Sequence, residues 1–599
     1  MLRPGLLTFF RSCYLVTITR REQVAQVRGL PIYVVTEVAL TPCSSQQEAG
    51  QAIVKTAIAL RRRVAGEAAD DSSDEDVALP SAGSGDEIGD DGPDPTGDPE
   101  WSTVASPNTS ARSSIAEDVI SRRGSYGRFA QRWFSRSGWA MGQKRTMGLS
   151  VEQAERGHGV TAHAAGEASE AGSDTNSADD LLPRLLRTVQ ILLGSSRSFY
   201  FSYDYDITRS LLNPKVPATA LIPLYNHVDP NFFWNNHMIQ PLIDAGVDSL
   251  ALPLMQGFIG QKSFVVDSHP PQIDDGAKES VEMSDFTVSS RSSMGSSPAE
   301  KPTADMRPSE KRFDITVISR RSVNRAGLRY LRRGVDDDGH VANAVESEQI
   351  LSPADSTWDA NSKIYSFVQI RGSIPVFFTQ TPFSLKPVPV MQHSEGANLA
   401  ALKKHLSRLH DRYGSLQIVN LVEKHGNEAA IGTQFEKNMQ TFNEGLGDET
   451  DKVPFEWFDF HAACRGMKFE NVSLLLQKLT GKLESLGSSI SVNDSTTTRQ
   501  AGVLRTNCMD CLDRTNVCQS SFAKHMLDQQ LKNQGFDMRE QLDQENAWFN
   551  ILWADNGDAI SKQYASTSAM KGDYTRTKKR DYRGALNDAG LSLTRLFNG

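Results

Sequence analysis

The spacing of apolar positions separates stretches that can build a core from two that cannot. Residues 13–35 hold two β-branched, aromatic-rich runs around a polar segment, which predicts a pair of strands. The apolar stretch Leu6–Ile18 reads as a core strand. Arg11 interrupts it, Arg20 and Arg21 follow it, and no small-residue cleavage site accompanies it, which excludes a signal peptide. Leu181–Leu193 is apolar apart from Arg184 and Arg187, Ser198–Tyr205 is strand-like, and Phe232–Ile243 has amphipathic helical spacing. After Phe313 the pattern is globular to the end. Phe313–Ser319, Ile364–Ile370 and Ile374–Thr379 predict strands, while Leu399–Tyr413 and Val472–Leu486 predict helices. Strands alternating with helices imply α/β layers in this half.

Between these stretches the pattern lapses twice. From about 64 to 180 the chain is rich in Gly, Ser, Ala, Asp and Glu and poor in aliphatic residues, so burial cannot offset the entropy of ordering. A second low-complexity insert covers about 277–310. Within the first insert, Ser72 and Ser73 have acids three positions on and Ser125 follows Arg122 and Arg123; these suit kinases of opposite preference, or are plain linker serines. Residues 121–145 differ from their surroundings. Seven basic residues alternate with Tyr126, Phe129, Trp133, Phe134 and Trp139, and no acid intervenes. As a helix this would suit an anionic membrane surface, or dock on its own domain.

Charge changes the picture once it is divided by segment. The 599 residues carry a formal −9, which suggests a protein that avoids anions. Yet 13 acids and no Lys or Arg lie between Gly66 and Glu100, and setting these aside turns −9 into +4 for the remainder. The acidic stretch could itself compete for basic clusters elsewhere in the chain. The length allows several domains or one with large insertions at about 150 residues each. Six cysteines without a regular framework favour a reducing, cytosolic compartment. No run reaches the roughly 18–20 apolar residues of a membrane span, so any membrane role would be peripheral.

The candidate chemistry lies in residues 501–519, AGVLRTNCMDCLDRTNVCQ, which contain Cys508, five intervening residues, then Arg514 and Thr515. A cysteine nucleophile attacking phosphorus needs the other three phosphate oxygens held, and a five-residue loop can turn its amides inward around them. Arg514 supplies a planar two-oxygen fork that lysine cannot imitate. Val503–Leu504 before the loop suits a strand, and Thr515–Leu531 after it has helical spacing, so a helix N-terminus would face the phosphate. The same field would favour a thiolate at Cys508. Thr515 could donate to that sulfur and help phosphate leave a cysteinyl-phosphate. The Cys-x5-Arg spacing alone also arises by chance.

Arg505–Asn516, RTNCMDCLDRTN, resembles the active-site signature of the Sac family of phosphoinositide phosphatases. SRRSVNRAGLRYLRRGVDDDGHVANAVESEQI (319–350), SFVQIRGSIPVFF (366–378), WFDFHAACRGMKFENV (457–472) and WADNGDAISKQYASTSAMKGDYTR (553–576) occur in the family's order, with FYFSYDYDITRSL (199–211) and FFWN (232–235). The resemblance implies an α+β or α/β fold, with a β-rich N-terminal lobe (1–64 and 181–230) on a cysteine-phosphatase-like catalytic lobe (231–599), interrupted by inserts at 65–180 and 277–310. It implies hydrolysis of inositol-lipid phosphomonoesters with no cofactor and no catalytic metal, in a cytoplasmic protein held peripherally on anionic membranes. Protein partners would engage the inserts. Met1 begins close to where the family's strands are under way, and the sequence stops just after the Sac-like region, without the family's C-terminal anchor or inositol 5-phosphatase domain.

On this reading Cys508, Arg514, Asp510 and Thr515 are catalytic. Met509, Cys511, Leu512, Asp513, Lys571, Arg576, Lys578 and Lys579 bind substrate. Asp510 is favoured over Asp513 as general acid, the other bonding loop amides or an arginine. Cys511 could form a disulfide with Cys508 under oxidation or be a buried thiol. His461, Cys464, Cys508 and Cys511 could compose a zinc set, which would occupy the nucleophile and so excludes the phosphatase reading. Arg320, Arg321, Arg332 and Arg333 could meet headgroups or form internal ion pairs. Rival readings are a phosphoinositide-binding scaffold and a phosphoprotein phosphatase. Nucleic acid is disfavoured, because no recognition helix or RNA-binding motif accompanies the basic clusters.

Overall fold

The computed structural model describes residues 2–9, 12–67, 174–213, 223–270, 306–329, 331–354, 362–380, 388–447, 452–493, 495–510, 512–541, 547–570 and 576. Residues 1–69 with 176–599 form one compact unit, and residues 70–175 cluster as a second. Nearly all described residues belong to the first. The basic-aromatic segment 121–145, the candidate phosphorylation serines and most of both inserts lie outside the described residues.

The fold is mixed α and β, and one 13-stranded sheet runs through it. Its first half is antiparallel: β1 (Leu2–Phe9), β2 (Ser12–Val27), β3 (Leu30–Pro42), β4 (Phe199–Phe201), β5 (Met255–Asp267), β6 (Glu310–Arg321), β7 (Val345–Pro353) and β8 (Ile364–Arg371) pair in chain order. The expected single strand Leu6–Ile18 is in fact two antiparallel strands, with Phe9 opposite Ser12 and Leu6 opposite Leu15. A short hairpin, β9 (Phe378–Thr379) with β10 (Val390–Met391), stands apart from the sheet. Beyond β8 the sheet becomes parallel through β15 (Gly502–Asn507), β11 (Ser415–Asn420) and β12 (Phe455–Trp457). A side hairpin, β13 (Ser489–Val492) with β14 (Ser495–Thr498), joins β8 antiparallel.

The first helix, α1 (Gln46–Glu67), runs through the position where order was expected to end. The segment 181–193 belongs to α2 (Asp174–Gln190) and the turn after it, and α3 (Asn236–Asp244) begins only after Trp234, whose amide bonds the Leu254 carbonyl. The parallel strands are packed by α4 (Glu395–Tyr413), α5 (Ala429–Glu444), a single turn α6 (Phe460–Ala463), α7 (Val472–Leu486) and α8 (Asp513–Lys532). Their apolar stripes meet in the largest core cluster, which includes Leu402, Ile418, Phe435, Leu475, Val503, Cys508 and Phe522. A last helix, α9 (Ala547–Ala565), stacks Trp548 on Phe264 at 4.0 Å.

Strand β7 escapes the hydrophobic pattern because four consecutive buried positions, Glu346, Ser347, Glu348 and Gln349, are polar. Arg320 of β6, wholly buried, pairs with Glu346 at 3.0 Å and Glu348 at 2.6 Å and donates to the Ile207 and Arg209 carbonyls. Arg321 is likewise consumed internally, on the carbonyls of Gln563 and Gly327. Of the two alternatives for these arginines, the internal ion pair or hydrogen bond is the one found. Burying charge is tolerated only when every partner is present.

Amides fix α8 to the sheet. Gln349 of β7 bonds the Ala523 carbonyl and Gln369 of β8 bonds the Gln519 carbonyl, each at 3.0 Å. Asn516 in the first turn of α8 bonds the Trp553 carbonyl of α9 at 2.9 Å. Gly557 makes room for that contact, since a Cβ there would sit 2.6 Å from the Asn516 amide nitrogen. The start of α8, and with it the preceding loop, is held against two elements.

Candidate active site

Three parallel strands end at one place. β15 ends at Asn507 and hands over to Cys508, β11 ends at Asn420 beside Leu421, and β8 ends at Arg371 ahead of Ser373. The carboxyl ends of parallel strands are where α/β sheets bind ligands. The ends are cross-tied: Leu421 N–H donates to the Asn507 carbonyl at 2.8 Å, and the Asn507 amide donates to Asn420 Oδ1 at 2.6 Å. Ile374 N–H donates to the Cys508 carbonyl at 3.2 Å. This explains why the expected strand Ile374–Thr379 is short. Only Phe378–Thr379 pairs as strand, because the backbone before it is spent on the loop.

Cys508, not joined in a disulfide and 2% exposed, lies at the base of the loop. The Thr515 hydroxyl lies 3.5 Å from its sulfur, oriented to donate. No side chain caps the start of α8, so its first-turn amides and the positive end of its dipole remain directed at the loop.

Arg514 has the geometry of a preset clamp. Its Nη1 and Nη2 donate to the two Glu428 oxygens at 2.6 and 2.7 Å, and Nη1 also donates to the Leu421 carbonyl at 3.3 Å. These commit three of the five guanidinium N–H groups. The edge made by Nε and Nη2 is left for a two-oxygen ligand. Burial opposes the Arg514 charge, but Glu428, then the Cys508 sulfur and Asp510, raise its pKa well above the ordinary value. Burial would also raise Glu428, and the charge and hydrogen bonds of Arg514 outweigh it to give a lowered value. The stabilisation from Glu428 is therefore present above the ordinary carboxylate range and is lost only as pH falls through its lower folded-state value.

Of the other expected residues, Asp510 accepts from Arg329 at 2.8 Å and from Arg333. Met509 contributes its carbonyl to the Ser373 hydroxyl at 2.9 Å. Leu512 points away from the loop into a cluster with Ile560 and Tyr564 of α9, and Asp513 is buried in the first turn of α8. Arg576 is held against α9 by Asp555 at 3.1 Å and Asp558 at 2.6 Å. Cys511, Lys571, Lys578 and Lys579 lie outside the described residues, and with Cys511 the proposed disulfide and the complete zinc set. Among the described residues no three His, Cys, Asp or Glu side chains are arranged to hold a metal; Cys464 is buried and His461 is exposed beside Glu423 at 3.4 Å.

Several residues of the site were not singled out from sequence. Ser373 links the loop to the 327–334 segment by accepting from Gly334 N–H at 3.0 Å, and Asn343 donates to the Asp510 carbonyl at 3.1 Å. Arg505, buried under the loop, donates to the Gly372 and Ser373 carbonyls and to His405 Nε2 at 3.3 Å. Arg329, Asn343, Ser373 and Arg505 stand inside the family-like words, which was their only signal. Glu428, 86 residues before its partner, gave none.

His405 also lines a cavity of about 410 Å³ with Arg371, Arg408, Arg412 and Arg505; neither Cys508 nor Arg514 borders it. Burial first, then the Arg505 charge, push the imidazole down to about 3. The sign follows. Below the ordinary value near 6.5 the unfolded chain takes up a proton that the folded one refuses, so stability falls as pH drops from there towards 3. One proton corresponds to roughly 1.4 kcal/mol per pH unit. The slope of unfolding free energy between pH 6 and pH 4 is expected to be shallower by about one proton in His405→Gln. Equal slopes in denaturant titrations would refute this.

A cysteine at the strand–loop–helix junction, with an arginine fork six residues on, is the geometry a cysteine loop would use to hold an anion. Residues 4–465 match the SacI homology domain, and the chain belongs to that family. It is 38% identical over 421 residues to "Phosphatidylinositide phosphatase SAC2" of Danio rerio, covering 69% of this chain and 35% of that protein. It is 37% identical over 431 residues to the Homo sapiens protein of that name, covering 71% and 35%. With "Phosphatidylinositol-3-phosphatase SAC1" of Saccharomyces cerevisiae it shares 33% over 433 residues, 69% of this chain and 60% of that one. The matched region thus spans about a third of the SAC2 proteins and three fifths of SAC1. Among the described residues no helix is long and apolar enough to cross a membrane.

Proposed function

We propose that the chain is a phosphoinositide phosphatase, hydrolysing phosphomonoesters of inositol lipids at the surface of anionic membranes through a cysteinyl-phosphate. The observation that carries this is the pairing of Cys508 and Arg514 around an uncapped helix start, with Thr515 on the sulfur and Glu428 fixing the clamp. The names of the relatives supply the substrate class. The Cys508 sulfur attacks phosphorus, the P–O bond to the inositol breaks, and the alcohol leaves with a proton. Arg514 and the loop amides hold the three equatorial oxygens as charge moves onto them. Water then attacks the phosphocysteine, breaking the S–P bond, and Thr515 stabilises the returning thiolate.

Asp510, bound by two guanidiniums, suits a carboxylate better than a carboxylic acid. We assign it to holding Arg329 and Arg333 at the loop, and leave the leaving-group proton to water or Asp513. The test is phosphate release from the mono- and bisphosphorylated inositol lipids in vesicles, with a tyrosine-phosphorylated peptide alongside. Release from at least one lipid isomer and none from the peptide is expected. Turnover of the peptide alone would overturn the assignment.

A further inference from the structure

The segment that grips Asp510 also carries an apolar surface beside the loop. Residues 325–333 hold Arg325, Arg329, Arg332 and Arg333 and no acid. Two of these arginines turn inward to Asp510. Between and beside them Leu331 is 71% exposed, Leu328 is 39% exposed and Arg332 faces solvent. A lone exposed leucine is ordinary, whereas two within four residues, beside the loop, make a small apolar patch.

The exposure is built in. Arg329 N–H donates to the Tyr564 carbonyl at 2.9 Å, the Tyr564 hydroxyl donates to the Arg332 carbonyl at 2.7 Å, and Arg325 Nη2 donates to the Arg333 carbonyl at 2.5 Å. Leu331 and Arg332 N–H both return to the Leu328 carbonyl at 3.0 Å, closing a tight turn. Gly334, at φ +59°, ends the segment so close to Val376 and Phe378 that a Cβ would lie 2.1 Å from the Val376 carbonyl. Phe378 begins the hairpin whose other strand exposes Val390 and Met391, with Val388 just before it, at 57%, 40% and 54%. Both apolar segments are tied to the catalytic loop, one through Asp510 and the other through Ile374 on the Cys508 carbonyl.

We propose that Leu328 and Leu331, with Arg332, form a bilayer-docking tip that enters the headgroup–acyl boundary of an anionic membrane and sets the catalytic loop at the height of the inositol phosphate. This rests on the phosphoinositide reading. The choice of a bilayer as occupant follows from charge and position. Arg332 is the arginine of this segment that faces outward to meet anionic headgroups, the other three being held on Asp510, Asp336 and a backbone carbonyl, and leucine beside arginine is an interfacial pattern. A protein covering a segment tied to the catalytic loop would also cover the substrate's approach, whereas a membrane brings the substrate with it.

The test uses the full chain. Leu331→Trp is mixed with phosphatidylcholine–phosphatidylserine vesicles whose acyl chains are brominated, and its fluorescence should be quenched relative to unbrominated vesicles. Leu328→Ser/Leu331→Ser should turn over vesicle-borne phosphoinositide roughly tenfold less per leucine removed. On water-soluble dibutanoyl phosphoinositide it should stay within about twofold of the native chain. Unquenched fluorescence, or unchanged vesicle turnover, overturns the docking tip and points to a protein partner. Lack of dibutanoyl turnover by the native chain would instead fault the phosphatase reading, and quenching still decides the docking.

Discussion

Cys508→Ser is expected to lower phosphate release from inositol lipids by about 10⁴-fold or more, an effect of the size seen when an enzyme's nucleophile is removed. The sulfur is 2% exposed and packed in the main core cluster, and serine fills nearly the same volume, so the fold should survive. What changes is the nucleophile. A thiol ionises within reach of neutral pH, while a serine hydroxyl stays protonated there and is the poorer nucleophile. Arg514 keeps its Glu428 partner and the loop amides keep their places, so phosphate binding is retained and the variant should hold lipid substrate without turning it over. The measurement is phosphate release beside vesicle co-sedimentation. Retention of more than a tenth of the native rate would sink the covalent mechanism and leave a site that only binds.

The candidate nucleophile and clamp could be named from sequence because the proposed chemistry is local: the loop is contiguous, and strand and helix patterns flank it. The parallel half was legible for a similar reason, as with Val472–Leu486, whose apolar stripe fixes both ends of its helix. Strand β7 was not, because Glu346, Ser347 and Glu348 are buried and answered by Arg320, Ser319 and Ser366 from other strands. Periodicity cannot register a polar core. Nor could sequence tell a headgroup arginine from a structural one. Arg320 and Arg332 stand in the same family-like word, yet one is sealed among carboxylates and the other faces solvent. Glu428 is the plainest loss. It is a lone acid at the N-terminus of α5, and only the ending of β11 beside β15 makes it a partner of Arg514.

That dependence supplies the second large effect. Arg514→Lys should lower kcat by about 10³-fold, the cost of losing a preset oxyanion donor, although the charge is kept. Lysine is a point donor. It can reach Glu428 or the phosphate but cannot present one edge to each, as the guanidinium does with Glu428 at 2.6 and 2.7 Å. Glu428→Gln in the native background should cost less, about 10- to 100-fold, with the loss in kcat and KM little moved, because the fork persists and only its aim loosens. The double variant then decides between positioning and mere support. If Glu428 acts through the Arg514 fork, adding Glu428→Gln to Arg514→Lys should cost little further, since the fork is already gone. Independent roles would multiply the two losses. Full multiplication, or an Arg514→Lys enzyme within tenfold of native kcat, would show that the clamp is not set by this ion pair.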